Sequence, residues 1–206
     1  MRLELGRAGE ITLGMLQDLR PAFKERDTKR FTDLARRDDQ VDILEVEILN
    51  YLGKIRQRSL TEEESLTFQG LMIATENIEY LADVIETELV ALGHKVVDTK
   101  LMSSDETRKL LLDLYTAVSN ATELAVQAVR DNDQRAAESV LMMKDSIRDL
   151  SEQVLTRKAR RLTGDDQDYL ELVRMEMAFV DQMRRMFTLT KRIAKVVLPP
   201  VLAQRD

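Results

Sequence analysis

Proline and glycine are rare in this chain, and their scarcity limits it to long helices. Its 206 residues include three prolines and seven glycines, so few positions favour the tight turns that a β-sandwich or barrel needs. Aromatic residues make up 4 % of the chain and tryptophan is absent. Leu, Ala, Glu, Arg, Asp and Met dominate, and most of these residues favour helices. The sequence therefore predicts an all-α fold of six long helices.

Capping sequences and breaks in the apolar pattern divide the chain into helices. Pro21 predicts a bend or a break in the first helix, and Gly93 predicts the end of the third helix. Thr61 and Glu64 form a capping-box sequence at the start of that third helix. The predicted helices cover about 3–25, 28–57, 61–92, 105–130, 133–161 and 163–197.

The order of helices and turns is similar in the two halves of the chain. The turn that begins at Arg58 resembles the turn that begins at Arg160, and Arg26–Asp27 resembles Arg130–Asp131. Each half would then contain three helices. We predict two tandem antiparallel three-helix bundles, stacked end to end or side by side. The two predicted repeats cover residues 1–95 and 96–206.

Charge and composition exclude several classes of protein. The chain carries a net charge of −6, which argues against nucleic acid as a partner. The excess acid lies in residues 1–100, with 14 basic and 20 acidic side chains, while residues 101–206 hold 17 of each. Cysteine is absent, so disulfides and thiolate metal sites are excluded. No window of about 18 apolar residues exists, and we expect a soluble cytoplasmic protein.

Residues 75–89 combine an apolar stripe with an acidic stripe on one predicted helix. The apolar positions at helical spacing are Ile78, Ala82, Ile85 and Leu89. The acidic positions are Glu76, Glu79, Asp83 and Glu86. Like charges at this spacing destabilise a helix by roughly 0.2 to 0.5 kcal/mol per pair. Lys and Arg are absent between Ser59 and His94, so this row of carboxylates requires either solvent or a bound cation.

A second acidic pair lies on the preceding helix. Asp38 and Asp42 are four residues apart and share one helical face. If the second and third helices pack as an antiparallel hairpin, this pair lies near Glu79 and Asp83. Carboxylates arranged in this way suit Mg, Mn, Zn or Fe. Alternatively, the acids form a solvated face, in which Asp38 pairs with a neighbouring arginine such as Arg36 or Arg37.

These motifs resemble those of the PhoU family of phosphate-uptake regulators. The similarity lies in RRDDQVDILEVEI of the second helix and in ENIEYLADVIETEL of the third. The opening ELGRAGEITLGML is similar to the start of the PhoU-like cytoplasmic domain of sodium/phosphate cotransporters. The resemblance covers nearly the whole chain, and the fold that it implies is the doubled three-helix plan.

The resemblance also implies a metal site. The family's helix 3 motif falls on Glu79 and Asp83, and its helix 2 acids fall on Asp38 and Asp42. Family members carry iron or zinc clusters on such motifs, so iron, zinc or manganese is the expected metal. The second repeat departs from the pattern, because Arg184 and Thr188 occupy the motif positions. Asp145 and Asp149 keep the helix 2 spacing there, and we expect at most one cluster.

The function implied by the resemblance is regulation of phosphate transport through protein contacts, without catalysis. The expected partner is a phosphate transporter in the cytoplasmic membrane, which is either a separate protein or part of the same polypeptide. The chain would lie at the inner face of that membrane, and a homodimer is compatible with this role. The sequence predicts no catalytic residue and no organic cofactor, since it has one His, no Cys and no glycine-rich phosphate loop.

Two other functions fit the same residues. A structural helical module would dimerise or act as a scaffold without metal, and a cation buffer would load metal reversibly. The last helix also carries a basic run that could bind phosphate, an acidic lipid surface or a second copy of the chain. That run consists of Arg184, Arg185, Lys191, Arg192 and Lys195.

Overall fold

The computed structural model of the chain describes residues 1–57, 59–159 and 167–203. Within these ranges the secondary structure is helical and includes no strand, which confirms the all-α prediction. No described helix is both long and apolar enough to cross a bilayer. The helices are α1 (Arg2–Glu25), α2 (Thr28–Arg56), α3 (Glu62–Asp83), a π-helical segment (Val84–Leu89), α4 (Val90–Thr99), α5 (Asp105–Asp131), α6 (Gln134–Met142), α7 (Lys144–Ala159), α8 (Gln167–Lys195) and the short α9 (Pro200–Ala203).

In the described residues the helices before α9 form six long segments, because α3, the π-helical segment and α4 follow one another without a loop. Likewise α6 and α7 are separated only by Met143, whose amide donates to the carbonyls of Leu141 and Val140. Of the bend or break predicted at Pro21, the break is wrong, since α1 continues from Arg2 to Glu25, and the bend stays a prediction. The capping box at the start of α3 is confirmed, with Thr61 and Glu64 each accepting a hydrogen bond from the other's amide.

Gly93 does not end a helix, in contrast to the prediction. It lies inside α4, which continues to Thr99 and is followed by Lys100 with φ 55°. A Cβ atom on Gly93 would lie 2.3 Å from the Phe31 ring, so glycine at this position allows α4 to pack closely against α2. The predicted division between residues 95 and 96 falls within α4, and the division into repeats stays a prediction.

The turn before α2 and the turn before α6 have the same geometry. Arg26 and Asn132 each have a positive φ, of 53° and 56°. The residue after each of them is an N-cap aspartate, Asp27 or Asp133, whose carboxylate accepts hydrogen bonds from two backbone amides. The match predicted for Arg130–Asp131 is therefore wrong by two residues. The turn predicted at Arg160 to resemble the one at Arg58 falls on residues 160–166, which lie outside the described residues, as does Arg58 itself.

The two halves of the chain lie side by side and share one hydrophobic core. Helix α1 packs against α5, and α3 packs against α8. The buried Tyr115 hydroxyl on α5 donates to the carbonyl of Leu16 on α1 over 2.6 Å. Buried leucine, valine and methionine side chains from both halves belong to the same cluster. This packing leaves the outer side of the α2–α3 hairpin exposed to solvent.

Candidate metal centre

Burial of one stripe of α3 orients the acidic stripe beside it. The predicted apolar residues Ile78, Ala82, Ile85 and Leu89 are all at most 2 % exposed. Their neighbours Glu79, Asp83 and Glu86 are half-buried, whereas Glu76 is exposed. The acids therefore lie along the edge of the core instead of on the side of the helix farthest from it.

On α2, Asp38 is the most buried acid of the predicted site. It is 8 % exposed, while Asp42, one turn later, is exposed and Glu45 is half-buried. Because α2 and α3 are antiparallel neighbours, the acids of the two helices face one another. Asp38 lies within electrostatic reach of Asp83 and Glu86, Asp42 of Glu79, and Glu45 of Glu79 and Glu76. We call these seven carboxylates, on residues 38, 42, 45, 76, 79, 83 and 86, the acidic cluster.

The pKa values in the acidic cluster are raised because its members are partly buried and repel one another. Burial, followed by repulsion from Asp42, Glu86, Asp83 and Glu79, raises the pKa of Asp38 to about 7. Burial, followed by repulsion from Glu45, Asp83 and Asp42, raises the pKa of Glu79 to about 7. The pKa of Glu45 is raised for the same two reasons. Near neutral pH, protons and other cations therefore compete for the carboxylates of Asp38 and Glu79.

No basic side chain in the described part of the chain forms an ion pair with the acidic cluster. The arginines that could have paired with Asp38 bind elsewhere: Arg37 pairs with Asp18 over 2.6 Å, and Arg36 pairs with Asp33. The Oδ1 atom of Asp38 is buried without a hydrogen-bond partner. A buried carboxylate oxygen without a partner is costly. The described part of the site therefore lacks a cation or a hydrogen-bond donor for this oxygen.

A π-helical segment lies directly beside the site. Asp83 is the last residue of α3, and Glu86 lies within the π-helical turn Val84–Leu89. Such turns are rare, and they occur frequently at functional sites. Here the wider turn displaces Glu86 from regular α-helical spacing. The sequence pattern did not predict the π-helical turn, because the pattern was interpreted with 3.6 residues per turn along the whole helix.

The acidic cluster holds three residues besides the four predicted ligands: Glu76 and Glu86, which the sequence already placed in the acidic stripe, and Glu45, which the structure adds. Glu45 and Glu86 belong to the acidic cluster because each repels a predicted ligand. A sequence signal for both existed: Glu45 occupies a core position three residues after Asp42, and Glu86 lies three residues after Asp83. His94, the single histidine, lies instead against the ring of Phe31, with ring centroids 5.6 Å apart.

The chemistry of the cluster fits a metal, although its side chains do not converge as ligands do. Carboxylate oxygens suit hard cations, and they also bind iron and zinc. The partly buried, unneutralised acids and the unpartnered Oδ1 of Asp38 are consistent with a cation between α2 and α3. In the described residues, no three carboxylate or imidazole groups are arranged closely enough to hold a metal ion. Coordination by three or more of these residues would therefore require side-chain rotation.

The sequence of the chain is similar to one protein family and to two curated proteins. Residues 5–87 match a protein family described as the PhoU domain. YjbB of Salmonella typhimurium, named for inorganic phosphate export, is 24 % identical over 197 residues, which cover 95 % of this chain and 36 % of that protein. YjbB of Escherichia coli K12 is 23 % identical over 194 residues, which cover 93 % of this chain and 35 % of that protein. The chain thus spans about a third of the length of these curated relatives.

The fold of the chain is similar to that of two solved structures. PhoU from Pseudomonas aeruginosa superposes with a TM-score of 0.84 at 15 % identity, covering 94 % of this chain and 91 % of that one. A PhoU-like protein from Shewanella oneidensis MR-1 gives a TM-score of 0.55 at 13 % identity, covering 93 % and 94 % of the two chains. At these identities the similarity defines the fold alone.

Proposed function

We propose that this protein regulates inorganic phosphate transport, because residues 5–87 match the PhoU domain and the chain has the PhoU fold. It acts through contact with a phosphate transporter of the cytoplasmic membrane and does not catalyse a reaction. The relatives named for phosphate export support this role. Since the matched region is only about a third of those relatives, the transporter is either a separate protein or another part of the same polypeptide.

The proposed regulator carries one metal site, at the acidic cluster. Asp38, Asp42, Glu79 and Asp83 are the proposed ligands, and Glu45 and Glu86 add negative charge around them. The metal is iron, zinc or manganese, which supplies the positive charge that the surrounding side chains do not. The observation that carries this proposal is Asp38, which is buried among carboxylates with one oxygen unpartnered.

Metal binding would couple the site to the shape of the α2–α3 hairpin. The four ligands lie on two helices that repel each other electrostatically. A bound cation changes this repulsion to attraction and fixes α2 relative to α3. The partner would then recognise the metal-bound hairpin more tightly than the metal-free one. The cytoplasmic side of the membrane is the proposed location.

Elemental mass spectrometry tests the metal part of the proposal. The chain is purified without a metal-affinity tag, beside a Glu79→Ala/Asp83→Ala variant and a matched Asp145→Ala/Asp149→Ala variant. We expect near-stoichiometric iron, zinc or manganese in the wild type and in the α7 control, and none in the α3 variant. Equal metal in all three proteins would place the site elsewhere, and no metal in any of them after soaking would contradict the proposed site.

The second candidate function is a structural module that acts without metal. Large apolar side chains exposed on the α2–α3 hairpin favour it, among them Ile43 and Tyr80. Such a module would show a concentration-dependent mass, and this mass would change with substitutions at those apolar positions. Sedimentation of metal-free protein at several concentrations distinguishes the two functions.

A further inference from the structure

The outer side of the α2–α3 hairpin carries a row of exposed apolar side chains. Eleven large apolar residues are exposed in the described chain, and six of them lie on this hairpin: Tyr51 near the end of α2 and five others. We call these five other residues the apolar face. They are between 44 and 59 % exposed: Ile43, Val46, Leu66, Ile73 and Tyr80.

Helical spacing aligns the apolar face into two stripes. Leu66, Ile73 and Tyr80 are seven residues apart, so they lie in one line along α3. Ile43 and Val46 are three residues apart on α2. Exposed apolar side chains that recur along one side of a helix in this way mark interaction sites more often than isolated ones do.

The apolar face borders the acidic cluster at three positions. Ile43 directly follows Asp42, and Tyr80 directly follows Glu79. Val46 follows Glu45 in the same way. Each of these apolar side chains therefore lies about 100° around its helix from a carboxylate of the cluster. The surface combines apolar stripes with a central line of negative charge.

The described part of the chain does not neutralise this surface. No described basic side chain pairs with the seven carboxylates, and the Oδ1 atom of Asp38, a residue only 8 % exposed, has no hydrogen-bond partner. One divalent or trivalent metal ion would not balance seven carboxylates, so a complementary partner must supply apolar side chains and further positive charge. We propose that the α2–α3 surface is the docking site for a basic amphipathic helix of a partner protein. This inference rests on the proposed function, and it assigns the protein contact of that function to the α2–α3 surface.

Charge excludes other occupants of the same surface. Anionic lipid headgroups and nucleic acid phosphates would be repelled by the acidic cluster. A second copy of this chain would have to use its basic helix α8, where Arg184, Arg185 and Arg192 are exposed. The large apolar side chain exposed on described α8 is Met177, which lies two turns from Arg184 and offers no matching apolar stripe.

A model peptide tests the docking site directly. The probe is a fluorescent helix of about 18 residues with leucines on one face and lysines on the other. Fluorescence anisotropy should show binding that weakens as salt rises from about 50 to about 500 mM. The Ile43→Ser/Tyr80→Ser variant should bind at least about tenfold more weakly, as expected for the loss of buried apolar area. The matched Leu3→Ser/Met142→Ser variant, at exposed apolar positions outside the hairpin, should bind as the wild type does.

Other outcomes would overturn the inference. Equal binding by both variants would place the peptide elsewhere, and equal binding of a peptide with glutamate in place of lysine would remove the role of charge. A dimer that dissociates only in the Ile43→Ser/Tyr80→Ser variant would assign the face to a second copy of the chain. Because these variants keep every carboxylate, their metal content should equal that of the wild type. Failure of the wild type to bind the peptide, with its metal present, would contradict the inference and leave the proposed metal site standing.

Discussion

The α2–α3 hairpin and its counterpart in the second half of the chain differ in how they balance charge. Asp38 and Asp42 lie eleven and fifteen residues after the N-cap Asp27. The same counts from the N-cap Asp133 reach Lys144 and Arg148. The counterparts of the two α2 acids are therefore basic. Asp145 and Asp149, which the sequence suggested as equivalents, are shifted by one residue.

Arg148 forms ion pairs with three carboxylates of its own helix. Its guanidinium contacts Asp145 over 2.8 Å, Asp149 over 3.4 Å and Glu152 over 4.0 Å. The second half also interrupts its helix at Met143, directly before Lys144, whereas α2 continues through Asp38. Two regions with equivalent starting turns thus differ in charge, since the first groups carboxylates alone and the second mixes carboxylates with basic side chains. The difference indicates that the acidic cluster is a specific feature of the first half and does not follow from the helical plan.

The largest expected effect comes from giving the first half the charge of the second. Asp42→Lys places an ammonium group in the acidic cluster at the position equivalent to Arg148. We expect near-complete loss of bound metal, since the lysine ammonium replaces a carboxylate ligand and repels the metal ion. Elemental mass spectrometry of the purified variant measures this loss. Full metal content in Asp42→Lys would show that the cluster is not the metal site.

A smaller effect is expected from Asp38→Asn in metal-free protein. Because the pKa of Asp38 is raised to about 7, ionisation of the carboxyl favours the unfolded chain as pH rises from about 4 to about 7. The neutral amide removes this penalty, so the variant should be more stable than the wild type by about 1 to 2 kcal/mol at pH 8, with the gain vanishing at pH 4. Urea unfolding at both pH values measures the difference. The exposed Asp39→Asn is the control, and an equal gain at both pH values would contradict the assignment.

The smallest effect is expected from Arg148→Ala in the second half. Its ion pairs are half-exposed, and such pairs contribute below about 1 kcal/mol each. The free energy of unfolding should fall by about that amount at low salt and by less at high salt. Metal content should stay unchanged. A loss above about 2 kcal/mol would mean that Arg148 has a structural role that exposed ion pairs do not usually have.

Local patterns in the sequence predicted most of the helices and the two acidic pairs of the cluster. The apolar stripe ending at Leu89 is buried, and the box opened by Thr61 caps α3, because both depend on residues within a few turns of one another. One error concerns a contact between distant residues. Gly93 was interpreted as a cap, yet it accommodates the ring of Phe31, 62 residues earlier in the chain.

The sequence by itself determined the all-α class, the helical hairpins and the two acidic pairs, since helical periodicity and capping are local properties. Only the tertiary structure decided which carboxylates share one electrostatic environment. Burial raises the pKa of Asp38 and Glu79, and the antiparallel packing of α2 and α3 brings Glu45 and Glu86 into the same cluster. Repulsion and desolvation depend on distance and burial in space, which spacing along one helix does not specify.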